Sequence, residues 1–161
     1  NVDQCVGLRP GPALPDPTWG WSFPRVERLI ASMGIDLRVQ GRDAFYHPTE
    51  DYIQVPPPGL FFQPIHWTRT VLHEAGHATK HPSRLNRQPR GDSWHVSHAI
   101  EEIIVELATA YILAHLRIFL TAAGPSYIAA WLPYAKAEPS FIFRLAPEAR
   151  AIAEYVLAFE K

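Results

Sequence analysis

The run His73-Glu74-Ala75-Gly76-His77 places two imidazoles and a carboxylate within five residues. On an α-helix, which turns once in about 3.6 residues, positions four apart project from the same face. His73 and His77 can then share one metal ion, while Glu74 reaches over it as the base for a metal-activated water. A hydrolytic site of this kind takes three protein ligands and keeps one position open. The third ligand must come from elsewhere in the chain.

One arrangement uses a His six positions after the second motif His, with a Gly midway to turn the chain. Those positions here hold Ser83 and Lys80, which rules it out. His81 continues the spacing of four, but eight residues of helix rise about 12 Å, too far for both outer rings to bind one ion at ~2 Å. His81 is read instead as a helix-end residue capping carbonyls. The remaining source is Ile100-Glu101-Glu102-Ile103-Ile104-Val105-Glu106-Leu107. Glu102 and Glu106 share one face of an otherwise apolar helix, where carboxylates are costly to bury unless paired or metal-bound. Glu101 points about 100° away and is expected in solvent. Glu102 is therefore assigned as third ligand, and Glu106 as acceptor of the second ring N–H of a ligand His. The exchanged assignment, with Glu106 on the metal, stays open.

Composition bounds the rest. A chain of 161 residues with 47% hydrophobic content suits one domain with a proper core. The single cysteine, Cys5, excludes an internal disulfide and a thiolate cluster, so His and carboxylates must hold any metal. It also excludes the zinc deaminase pattern, which needs a Cys pair. No apolar run approaches the roughly 18 residues that span a bilayer. The start, Asn1-Val2-Asp3-Gln4, has neither an export pattern nor a Met. The expectation is a cytoplasmic domain cut from something longer. The net charge of −1 says nothing about nucleic acid, but twelve Arg stand against three Lys. Arg84, Arg87 and Arg90 fall in Ser83–Arg90, read as a solvated loop, with phosphate contact as the alternative.

The elements that must position these groups follow from punctuation and periodicity. Residues 1–23, with Pro10, Pro12, Pro15 and Pro17, read as a linker or a segment draped over the domain and docked by Trp19, Trp21 and Phe23. The domain itself is placed at 24–161. A short helix runs from Pro24 through Val26, Leu29 and Ile30 to a stop at Gly34. Strands are expected at 35–39, 44–46 and 52–55, the last an edge strand because Pro56-Pro57-Pro58 follows. The motif helix begins after Pro64, buries Trp67, Val71, Leu72, Ala75 and Ala78, and ends near His81 before Pro82. A long helix at about 96–120 carries Ile100, Ile103, Ile104, Leu107, Ala110, Tyr111 and Leu113 on its core side. Further helices are expected through Tyr127–Leu132 and from Pro147 to Phe159. Strands followed by helices make the class α+β, with a small, mainly antiparallel sheet and a helical core carrying the metal site.

Tyr46–Pro56, Leu72–Thr79, His81–Arg87, Glu101–Leu107 and Ala129-Ala130-Trp131-Leu132 together resemble one family over about residues 24–159. It is the zincin-like metallopeptidase domain of ArdC-type antirestriction proteins and TraC-type plasmid primases. The resemblance implies a zinc-dependent peptidase fold, one ion per chain, with another divalent metal as an option. It implies a protein or peptide substrate, expected to add as a strand along 52–55. It also implies a link to single-stranded DNA, through a separate domain or the Arg84/Arg87/Arg90 loop. No membrane partner is implied, and the setting would be the bacterial cytoplasm or a cell receiving transferred DNA. The alternative is a non-proteolytic, metal-stabilised module that protects incoming DNA from restriction. This chain departs from the pattern twice: His98 stands where a Tyr is usual, and Val105 where a small Ala is usual. His98, one turn before Glu102, either donates to a substrate oxyanion or fills the Tyr's space.

Overall fold

The computed structural model describes residues 24–118 and 140–160; the expected linker with Cys5, and the helix through Tyr127–Leu132, lie outside them. Helix α1 (Pro24–Ser32) turns Val26, Leu29 and Ile30 inward and stops at Gly34, whose φ of 69° a side chain would resist. Strands β1 (Asp36–Val39), β2 (Phe45–His47) and β3 (Tyr52–Val55) follow, then a 3₁₀ turn at Pro58–Leu60. Helices α2 (Pro64–Ala78), α3 (Trp94–His115) and α4 (Phe141–Leu157) complete the described residues. The class is α+β, with the core between α1, α2, the inner face of β3, α3 and α4.

The sheet order β1-β3-β2 corrects one expectation. β3 is the central strand, parallel to β1 and antiparallel to β2, so the sheet is mixed and β3 offers no free edge. The prolines follow β3 without interrupting it, and so cost it no ladder hydrogen bond. Ile53 and Val55 are fully buried, and this apolar face earns the inner place. Trp67 Nε1 donates to Pro56 O at 3.0 Å, which pins α2 to the end of β3.

Local chemistry also moved the helix limits. Ser93 caps α3 by accepting from Val96 N, so the helix starts at Trp94. It stops at His115, short of residue 120, because Arg117 turns left-handed at φ 57°. Ile118 N then reaches Leu113 O and Arg117 N reaches Ala114 O, the bonding of a Schellman stop. The buried stripe runs through Ile104, Ala108 and Ile112, which leaves Ala110 and Tyr111 exposed rather than in the core. α4 begins at Phe141, before Pro147, and the one lost helical bond falls at Phe143, an exposed residue.

Arg84 and Arg87, read as loop residues facing solvent or phosphate, both turn inward. Arg84 makes a two-pronged pair with Asp51 at 2.7 and 2.9 Å and donates to Ala78 O at 3.1 Å. Asp51 also accepts from Tyr46 Oη at 2.8 Å. The turn between β2 and β3 is thereby tied to the end of the motif helix. Burial first, and then the bond to Asp51, pushes the Tyr46 phenol up to about 12. Arg90 alone of the three is half-exposed, and it pairs with Glu148 at 2.7 Å.

Helices α2 and α3 meet at Gly76. A Cβ at that position would lie 2.8 Å from Val105 Cγ1, so the missing side chain lets the two helices approach. Val105, larger than the Ala of the family pattern, fills the space the glycine leaves. Gly76→Ala is expected to destabilise the protein by about 1–3 kcal/mol through overpacking. Adding Val105→Ala should recover much of that loss in chemical denaturation; additive losses would show that the two residues do not pack as a pair.

Candidate metal centre

α2 presents His73 and His77 on one face, and α3 lays Glu102 against them. His73 Nε2 and His77 Nε2 lie 3.1 Å apart, and the Glu102 carboxylate oxygens sit 3.3 Å from the first and 3.2 Å from the second. Three atoms at ~2 Å from a tetrahedral ion would be ~3.3 Å from one another. Each ring nitrogen thus has the other ring nitrogen and one Glu102 oxygen at the spacing of neighbouring ligands in such a shell. Among the described residues this is the one cluster of three or more such side chains compact enough for an ion.

The outer ring nitrogens each meet a buried carboxylate. His73 Nδ1 lies 3.2 Å from Glu106 Oε1; the approach is less well aligned than at His77, and neither atom has another hydrogen-bond partner. Arg69 closes on the other Glu106 oxygen. His77 Nδ1 lies 3.1 Å from Glu101 Oε1, and Glu101 takes both prongs of Arg87 at 2.8 Å. Glu101 is 9% exposed, not in solvent. The helical angle does turn it away from Glu102, but the space on that side holds Arg87 and α4. Sequence reasoning missed Glu101, Arg69 and Arg87 as parts of the site. A legible signal was present: Arg87 ends the recurring His81–Arg87 segment, and Glu101 stands on an otherwise apolar helix.

Glu74 is buried beside the cluster. Burial raises its pKa, against the pull of the two imidazoles. A cavity of about 400 Å³ opens over it, walled by Phe45, Tyr46 and Pro48 of the hairpin and by His98 and Glu102 of α3. His98 is 56% exposed at the rim, its Nδ1 3.8 Å from Glu102 Oε1, with its ring stacked on Trp94 at 5.3 Å. His81 stays out of the cluster and caps no helix carbonyl; its Nδ1 pairs with Ser83 at 2.7 Å.

The electrostatics of the metal-free site favour positive charge. Burial opposes a charged His73 ring, but Glu102 and Glu106 outweigh it and raise its pKa to about 9. His77 is raised in the same way through Glu101 and Glu102. Glu101, although buried, is held down to about 2 by His77 and Arg87, and Glu102 and Glu106 are also lowered, against burial, by their histidine neighbours. A divalent cation would compete with these ring protons for the same nitrogens.

The sign of the pH effect follows from His73. A ring pKa raised from 6.5 to about 9 stabilises the fold fully below pH 6.5 and loses that contribution as pH climbs through about 9. The lowered carboxylates act only in acid, below their ordinary 4.5. The metal-free protein should therefore melt at a lower temperature at pH 9.5 than at pH 6.5. His73→Gln should flatten that slope in a thermal scan; an unchanged slope would mean that His73 is not the group responsible.

Comparison with known proteins bears on the family and the fold. A family model described as zincin-like metallopeptidase matches residues 24–148. The chain is 35% identical over 160 residues to the uncharacterized protein y4eC of Sinorhizobium fredii, covering 98% of this chain and 52% of that one. It is 34% identical over 163 residues to a DNA primase TraC of Escherichia coli, covering all of this chain and 15% of the primase. The Mn(II)-bound crystal structure of the antirestriction protein ArdC from plasmid R388 superposes with a TM-score of 0.70 at 33% identity, over 86% of this chain and 53% of that one. The chain thus spans about half the length of one curated relative and a small part of the other. It belongs to the zincin-like metallopeptidase family, as the type of domain shared by TraC primases and the ArdC antirestriction protein.

Proposed function

We propose that this domain is a metal-dependent peptidase with His73, His77 and Glu102 as ligands, acting within an antirestriction protein of the ArdC type. The observation that carries the reading is the compact cluster of His73, His77 and Glu102 with buried Glu74 beside it, under an open cavity. Zinc is the proposed ion, although two His and a Glu also accept manganese, the ion in the ArdC relative. Bound there, a divalent ion would supply Lewis acidity, bringing a water's pKa toward about 7 and polarising a scissile carbonyl.

The chain's own groups do the rest. Glu74 takes a proton from the attacking water as its oxygen bonds to the carbonyl carbon. It returns that proton to the amide nitrogen as the C–N bond breaks. Burial, which raises the Glu74 pKa, suits both halves of that exchange. Glu106 and Glu101 hold the ligand rings, and His98 at the rim donates to the oxyanion. The substrate strand cannot add to β3, which is paired on both sides; of the two outer strands, β2 lines the cavity, and its outer edge is the proposed docking edge.

A second reading draws on the relatives' names, which speak of antirestriction and priming rather than proteolysis. In it the ion steadies a module that shields incoming DNA, and Glu74 has no chemical task. Arg84 and Arg87 would not serve DNA directly, being buried in ion pairs. No helix among the described residues is long and apolar enough to cross a membrane.

Glu74→Gln should keep the metal but lose about 10²–10⁴-fold in turnover of unfolded protein substrate, whereas His77→Ala should lose both metal and activity. Cleavage by Glu74→Gln at the wild-type rate would remove Glu74 as the base. Antirestriction undiminished in Glu74→Gln would favour the second reading. His98→Phe preserves the stack on Trp94 and should lower kcat while KM stays near wild type. A change confined to KM would make His98 a binding group.

A further inference from the structure

We infer that Arg87 is a positioning residue of the metal centre, fixing His77 through Glu101 and tying both to α4. The inference rests on the reading of His77 as a ligand.

For His77 Nε2 to offer a lone pair toward His73 and Glu102, its ring proton must sit on Nδ1. Glu101 Oε1, 3.1 Å away, is the acceptor there. A carboxylate at the end of a Glu side chain rotates freely unless something grips both oxygens. Arg87 does so, Nη2 to Oε1 and Nη1 to Oε2, both at 2.8 Å. Only a planar guanidinium offers that fork; an ammonium cannot reproduce it.

Arg87 is itself held on its remaining sides. Its Nε donates to Thr79 Oγ1 at 2.9 Å, and Nη2 donates to Gly76 O at 3.1 Å, inside the motif helix. Nη1 also reaches Glu148 of α4 at 3.2 Å. With only 6% of its side chain exposed, Arg87 is inserted between three elements and aimed at one carboxylate. The mirror arrangement on His73, Glu106 with Arg69, is less well aligned. Arg84 provides an internal contrast. It comes from the same loop and is equally buried, yet it pairs with Asp51 and has no contact with either ligand ring.

The test compares Arg87→Met, Arg87→Lys and Arg84→Met in the full chain. Zinc affinity is measured by competition with a chromophoric chelator, and the His77 tautomer by nitrogen-15 NMR of the protein without zinc in alkaline solution, where the ring carries a single proton. Arg87→Met should bind zinc about 10–100-fold more weakly, with its His77 proton no longer confined to Nδ1. Arg87→Lys should fall between that variant and wild type. Arg84→Met should lose thermal stability but keep wild-type zinc affinity and tautomer. Wild-type affinity in Arg87→Met, or equal weakening in Arg84→Met, would overturn the inference. Should Arg87→Met fail to fold, wild-type affinity and tautomer in Arg87→Lys would overturn it as well. A wild-type protein that binds no divalent ion would sink the metal reading itself. Because affinity is read without turnover, absence of peptidase activity leaves this result intact.

Discussion

Four carboxylates, Glu74, Glu101, Glu102 and Glu106, lie in or against the apolar contact between α2 and α3, and their charge is the constraint on which the rest of the structure depends. Burying an unpaired carboxylate costs several kcal/mol, so each needs a partner. Arg69 and Arg87 answer two of them. Glu74 and Glu102 face the His73 and His77 rings instead. The carboxylates around the two rings raise the pKa of both, and a divalent cation between them would answer the same negative charge.

Packing and charge are solved together. Gly76 lets α2 and α3 approach closely enough for a carboxylate on one helix to reach rings on the other, and Val105 fills the gap so created. The loop after α2 then folds back. Arg84 anchors the β2–β3 turn, and Arg87 anchors Glu101 and α4, so one short loop fixes both the cavity wall and a ligand ring. A loop rich in arginine thus serves as internal scaffold. Arg84 and Arg87 direct their charge to carboxylates of the same chain, while Arg90 is half-exposed.

The open side of the site is built differently. Hairpin residues Phe45 and Tyr46 face the cavity across from His98, and the stack of His98 on Trp94 gives the rim an aromatic ledge. Tyr46 Oη donates to Asp51, which Arg84 also grips, so this wall is tied to the end of α2. The free edge of β2 lies on the same side.

The sequence by itself determined that His73 and His77 share one helix face, because helical periodicity is local. It also determined β3 and the start of α2, where prolines punctuate the chain, and the pairing of Glu102 with Glu106 on one helix face. Only the tertiary structure decided which neighbours those faces meet. The order of the strands followed from how deeply β3 is buried, which no proline pattern encodes. Glu101 and Arg87 were each legible as charges but not as partners. Fourteen positions separate them, and their meeting depends on the path of the intervening loop and on α4 closing over it. Periodicity tells a residue which way it points; whether water or a guanidinium waits there is a property of the whole fold.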